Sequence, residues 1–134
     1  MNKQFIISVI VMFVATMLVG FVVHVTLLGQ DYAALPNLFR VEEDSQNYFH
    51  YMLLGHLSMA IGLTWVYRMG RQDKPWLGQG LRFGLAMIAL MTLSIYLIYY
   101  AVQPMPHELV QKQIIFDSIG MLLLGMLVAL MNRK

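Results

Sequence analysis

Residues 5–28 read FIISVIVMFVATMLVGFVVHVTLL, 24 consecutive positions from Phe5 to Leu28 without one formal charge. An α-helix rises about 1.5 Å per residue, so roughly 20 residues cross a hydrocarbon layer about 30 Å thick. The run is long enough to span. A soluble helix would also show a polar face at every third or fourth position, and this one is apolar nearly all round. The hydrophobic stretch of a secretory leader usually covers about 7–15 residues and ends in a small-x-small site. Here the run holds Gly20 and His24 and is followed by Gly29-Gln30-Asp31-Tyr32, so it is expected to remain as a span.

Three further runs follow: Tyr48–Tyr67 with His50 and His56 inside it, Phe83–Val102, and Gln113–Met131, which is interrupted once, by Asp117. With their flanks, the expected spans are 5–28, 48–67, 80–103 and 109–131. The expected fold class is all-α, a polytopic membrane four-helix bundle forming a single domain over 1–134. Composition points the same way. Hydrophobic residues make up 59% and charged residues 12%, against roughly 45–50% and about 25% in ordinary globular chains. So few charges cannot coat a water-soluble domain of this size. The absence of Cys excludes a disulfide scaffold, and Lys+Arg minus Asp+Glu, 9 − 7 = +2, excludes a nucleic-acid module.

Four spans place the N-terminus, the middle connection and the C-terminus on one side. That side carries Lys3, Arg68, Arg71, Lys74, Arg82, Arg133 and Lys134, seven of the nine basic residues. Basic loops stay cytoplasmic, so both termini are expected inside, with Trp65 and Trp76 anchoring the middle connection at headgroup depth. Asp31, Glu42, Glu43, Asp44 and Glu108 fall on the opposite, outer side. Breakers fit this layout. Asp73-Lys74-Pro75 is expected to start the third helix with a capping acid and an early proline, and Gln103-Pro104-Met105-Pro106 to end it in a tight outer turn. Asp44, Ser45 or Asn47 is available to cap the second helix. The one long connection, Gly29–Gln46, sets Tyr32, Leu35, Leu38 and Phe39 among polar residues and is expected to carry a short interfacial helix or to form a cover.

Contacts between membrane helices favour small residues that let backbones approach. Gly80 and Gly84 form such a step on the third helix, Gly55, Ser58 and Gly62 a stripe on the second, and Gly20, Gly120 and Gly125 mark the first and fourth. Twelve methionines are read chiefly as adaptable fillers. Met52, His56 and Met59 share a stripe, with Met105 and His107 in the nearby turn, and thioether plus imidazole donors suit Cu(I).

The residues that do not belong in hydrocarbon carry the functional reading. An ionisable group there costs about 2.5–3.5 kcal/mol on insertion scales. Asp117 lies nine residues beyond Glu108, about 13 Å into the fourth helix, on a face with Gln113 and Gly120. His56 sits at similar depth in the second helix. His24 falls on a stripe with Thr16 and Gly20, and the third helix presents Thr92, Tyr96, Tyr99 and Gln103. All four helices thus offer polar groups in their outer halves, and turning them inward avoids leaving Asp117 and His56 unpaired against lipid. The expected result is an outward-facing polar pocket in which His24, His56, Asp117, Tyr96 and Tyr99 bind a ligand. His24, His56 and Asp117 suffice for a divalent metal. His24 and His56 could instead hold a haem from both sides, or the Asp/His/Tyr group could hydrogen-bond a quinone headgroup or relay protons. Paired carboxylates and an activated nucleophile are lacking, which points away from an enzyme.

The second half resembles a family of uncharacterised small bacterial membrane proteins with four predicted helices. The features that carry the likeness are Gly80-Leu-Arg-Phe-Gly84, then Tyr96-Leu-Ile-Tyr99-Tyr100-Ala-Val-Gln-Pro104, then Gly120 to Gly125, over about residues 78–130. That family's first helix usually ends in a Trp-Tyr element, where this chain has His24-Val-Thr-Leu-Leu-Gly29. The resemblance implies a bacterial inner-membrane protein and brings no known activity. The expected function is an accessory or binding protein of that membrane, lipid-embedded, and a homo-oligomer or a subunit of a larger complex. The rival is a small proton- or metal-ion-coupled transporter with Asp117 as its titrating group, and a third reading is a haem- or quinone-binding redox subunit.

Overall fold

The computed structural model describes residues 2–133, and among them every regular element is a helix, with no strand. The first helix, α1 (Lys3–Gly20), continues without a break into a π-helical segment, π1 (Phe21–Leu27). Two short helices, α2 (Gly29–Ala33) and α3 (Glu42–Gln46), lie in the long connection. Then come α4 (Phe49–Gly70), α5 (Trp76–Met87), a second π segment π2 (Ile88–Leu93), α6 (Ser94–Val102) and α7 (His107–Met131).

Three of these stretches are long and apolar enough to cross a membrane: Lys3–Leu27, Trp76–Val102 and His107–Met131. The fourth expected span, α4, has 22 residues but does not reach the same hydropathy, because His50, His56 and Arg68 interrupt it. The first turn of α1, the last turn of α7 and the Gly70–Trp76 turn share one end of the molecule. Gln4 Nε2 donates to the Met131 carbonyl at 3.1 Å, Asn132 Nδ2 to Ser8 Oγ at 2.7 Å, and Arg68 and Arg71 both donate to Asn132. We call this the terminal end and the opposite one the loop end.

The tightest pairing is between α5 and α7, and glycine makes it. A Cβ built at Gly80 would lie 2.8 Å from the Gly125 carbonyl oxygen, and one at Gly125 would lie 2.6 Å from that of Gly80. Both obstacles are backbone, so the helices approach as closely as they do only without side chains there. Gly20 faces His56 and Gly120 faces Val19. The stripe on α4 does otherwise: Gly55 and Gly62 meet nothing within 4 Å, so that face packs against no other part of the described chain. One apolar core, built around Met12, Ala60, Leu63, Met121, Leu124 and Val128, joins α1, α4 and α7.

The long connection packs onto the bundle. It does carry short helices, α2 and α3, but its apolar side chains pack on the protein. Its Tyr32, Leu35, Leu38 and Phe39 turn onto Val23, Leu28, Met105, Leu109 and Val110, closing a second core at the loop end. It is a cover. Two caps differ from expectation. The N-cap of α5 is Pro75, with no side chain capping, and the turn is clamped by Gln79, whose Oε1 accepts from Gln72 N–H while its Nε2 donates to the carbonyls of Gln72 and Lys74. A side chain one turn inside the helix thus does the work expected of Asp73. The N-cap of α4 is Tyr48, and Asp44 pairs with Arg40 at 2.8 Å instead of capping.

Candidate functional site

A cavity of about 390 Å³ opens between α1–π1, α4, π2–α6 and α7, and the five residues singled out in sequence, His24, His56, Asp117, Tyr96 and Tyr99, all line it. Thr16 and Thr92 add hydroxyls, while Val19, Met59, Met91, Ile95, Met121 and Leu124 supply apolar wall. Each helix reaches the space by a different device. Both π segments border it, π1 through His24 and π2 through Met91 and Thr92. A π turn bonds i to i+5 instead of i+4, as in Leu28 N–H to the Val23 carbonyl at 2.9 Å, and so rotates the following residues relative to an α-helix; such turns concentrate at functional sites. On α7 regular geometry suffices, since Gln113 and Asp117 are one turn apart on one face.

The polar end is a continuous hydrogen-bonded chain. The Tyr96 hydroxyl donates to Asp117 Oδ2. Asp117 Oδ1 lies 3.2 Å from His24 Nε2. His24 Nδ1 lies 2.7 Å from the Tyr32 hydroxyl, which accepts from Gln113 Nε2 at 3.3 Å. With His24 neutral these contacts assign its proton to Nε2, donating to the carboxylate, and leave Nδ1 to accept from Tyr32. Tyr32 arrives from the cover, stacked on His24 and held against Phe39. Beside it Asp31 takes Lys112 Nζ at 3.2 Å, which pins the cover to α7. Burial pushes the Tyr32 hydroxyl up to about 12 from an ordinary 10, the negative charges of Asp117 and Asp31 push it further in the same direction, and the Gln113 hydrogen bond opposes them.

His56 stands apart from this chain. Its ring lies across Gly20, where a built Cβ would come 3.1 Å from Cε1, and its Nδ1 is buried without a hydrogen-bond partner among the described residues. Tyr99 is half exposed at the rim. Gln103, the last of the expected polar stripe on the third helix, falls outside the cavity as the C-cap of α6.

Ligand readings from sequence fare unequally. Among the described residues no three His, Asp or Glu side chains converge as metal ligands, so His24, His56 and Asp117 do not form a three-ligand set as they stand. Both ring nitrogens of His24 are engaged, so an axial bond to a haem iron there would displace Asp117 or Tyr32. The copper grouping disperses: Met52 is exposed, Met105 is buried in the loop-end core, and His107 bonds Tyr100 and Gln111 on the surface. What the sequence reading missed is Tyr32, placed there only as an apolar loop residue, together with the partnership of Gln113. The signal was the eight-residue step from His24 to Tyr32 around the first turn of the connection. No family model, no characterised protein and no solved structure matches this chain.

Proposed function

We propose that the chain is a binding protein of the bacterial inner membrane, with four spans and both termini cytoplasmic, whose cavity faces outward and takes a small amphiphile with a hydrogen-bonding head. A quinone-type headgroup is the ligand class the side chains suit. Its ring would lie against Met59, Met91, Ile95 and Met121, and its carbonyl oxygens would take a hydrogen bond from His56, the lining group left without a partner among the described residues, and compete for those of Tyr96 and His24. Association as a homo-oligomer or within a larger membrane complex belongs to the same reading, supported by the uncovered face of α4.

The observation that carries it is the open space beside a satisfied carboxylate. Membrane bundles use buried polar groups as glue, and Asp117 acting as glue alone needs only Tyr96 and His24 closed tightly around it. Protein interiors normally fill to the density of organic crystals. Here about 390 Å³ remains, within the roughly 300–1,000 Å³ usual for ligand pockets, mostly apolar in lining with a few convergent polar groups.

The run from Tyr96 through Asp117 and His24 to Tyr32 favours a second reading, a carrier in which protons pass between the cavity and the outer surface with Asp117 as the titrating group. Calorimetric titration of the purified protein with a short-tailed benzoquinone separates the two. Saturable binding, weakened about tenfold or more in Asp117→Asn and Tyr96→Phe, is expected, since a hydrogen bond to a charged group is worth about 1.5–3 kcal/mol. No saturable binding, with proton flux in liposomes that vanishes in Asp117→Asn, would replace the first reading by the second. An absorption spectrum and metal analysis of the same sample test haem and metal directly.

A further inference from the structure

The terminal end holds a second cavity, of about 260 Å³, lined by Arg71, Arg82, Gln72, Gln79, Tyr67 and Phe83 among others. Its basic groups meet no acidic partner among the described residues. Among the described residues neither Arg71 nor Arg82 lies within 4 Å of a carboxylate, and the same holds for Arg68 and Lys74. Asp73, the lone acid of the adjoining turn, is exposed and does not line the space.

The walls are held in place before any ligand arrives. Arg71 is fixed by donating Nη1 to the Asn132 carbonyl at 2.8 Å, which still leaves its other N–H groups free. The turn after it is locked by the three hydrogen bonds of Gln79, at 2.7, 2.9 and 2.7 Å. Tyr67 packs edge-on against Phe83, with ring centroids 5.4 Å apart, and gives the space an apolar floor. Arg82 has no hydrogen bond among the described residues. Two guanidinium groups over an aromatic floor, at helix ends flanked by Trp65 and Trp76, match a phosphate carried on an apolar body. Arginine grips phosphate through paired N–H groups, indole rings mark headgroup depth, and basic pockets between helices take anionic lipid heads.

We propose that this cavity binds a phosphate group, that of an anionic phospholipid headgroup being the source in the membrane and a soluble phosphate the competing one. The site rests on the membrane reading but not on the loop-end cavity or its ligand. Native mass spectrometry of the full chain, released from micelles containing equal phosphatidylglycerol and phosphatidylcholine, reads it directly. Wild type is expected to retain phosphatidylglycerol selectively. Arg82→Gln is expected to cut that retention about fivefold, the effect of removing one basic group near a headgroup, and Arg82→Lys to restore part of it, with melting temperature unchanged in both. Millimolar inorganic phosphate that strips the lipid from wild type and not from Arg82→Gln supports the anion site with a soluble source. Equal retention of the two lipids in wild type, or a loss as large in Asp117→Asn as in Arg82→Gln, overturns the proposal. Quinone titration of Arg82→Gln keeps a failure here distinct from a failure at the loop end.

Discussion

Asp117 shows how one acidic side chain is satisfied among apolar helices. Each carboxylate oxygen has its own donor, His24 on one and Tyr96 on the other, and His24 is itself held by Tyr32. The residue at the aqueous end of this chain makes it sensitive to alkali. Tyr32 ionises near 10 in an unfolded chain and at about 12 here, because burial disfavours the phenolate. A raised acid of this kind contributes stability fully below pH 10, and that contribution falls away as the pH climbs through 12. The cover is therefore expected to loosen across pH 10–12. Tyrosinate absorption of wild type minus Tyr32→Phe checks this: a difference curve centred near 10 would contradict the buried placement. Gly20 allows a separate check on His56. An alanine Cβ would sit 3.1 Å from His56 Cε1, and His56 borders open space into which it can shift. Alanine also gains roughly 0.5–1 kcal/mol over glycine within a helix. Gly20→Ala is thus expected to leave the melting temperature level or slightly raised while weakening quinone binding. A fall in both would mean that Gly20 serves packing alone.

Elements were legible to different depths. The four long helices follow from run length, and the Gln103–Pro106 turn from two prolines that cannot continue a helix. The meeting of His24, His56, Asp117, Tyr96 and Tyr99 around one space was readable because an ionisable group in hydrocarbon has few tolerable places to point. The two π segments were not readable. Residues 21–27 and 88–93 are ordinary apolar sequence, and a change from i+4 to i+5 bonding leaves no mark on composition. Tyr32 escaped because an aromatic residue in a loop looks the same whether it faces lipid headgroups or a buried histidine. Glycine stripes were ambiguous for a similar reason: spacing shows that a face is smooth, not that anything lies against it. Substitution separates the two cases. At Gly125 a Cβ would meet the Gly80 carbonyl at 2.6 Å and the Gly84 Cα at 2.8 Å, so α5 and α7 must part. Gly125→Ala is expected to cost about 1–3 kcal/mol, as overpacking does. Gly55→Ala meets nothing and is expected to be neutral or stabilising by up to about 1 kcal/mol. Thermal unfolding of the two variants in one detergent decides it, and equal losses would contradict the α5–α7 contact.

For the molecule as a whole, the charge distribution along its long axis bears on both cavities. Lys3, Arg68, Arg71, Lys74, Arg82 and Arg133 gather at the terminal end, and Asp31, Glu42, Glu43, Asp44 and Glu108 at the loop end. Were that polarity to direct insertion as basic loops usually do, arginines without a carboxylate partner among the described residues would lie beside the inner lipid heads and the Asp117 chain beneath the outer surface. If the chain inserted the other way, the Arg71–Arg82 space would face the outer leaflet and Tyr32 would exchange protons with the cytoplasm, so the outward-facing reading of the loop-end cavity depends on orientation while phosphate binding at the other end does not. The absence of cysteine makes that orientation measurable without removing any native thiol. Single cysteines at Asn37 in the cover and Gln72 in the turn are both exposed positions, away from the cores. In intact cells a membrane-impermeant maleimide is expected to label Asn37→Cys and to spare Gln72→Cys until the membrane is opened. The reverse pattern would invert the molecule, and labelling of both in intact cells would mean that α4, the least apolar of the four long helices, does not cross.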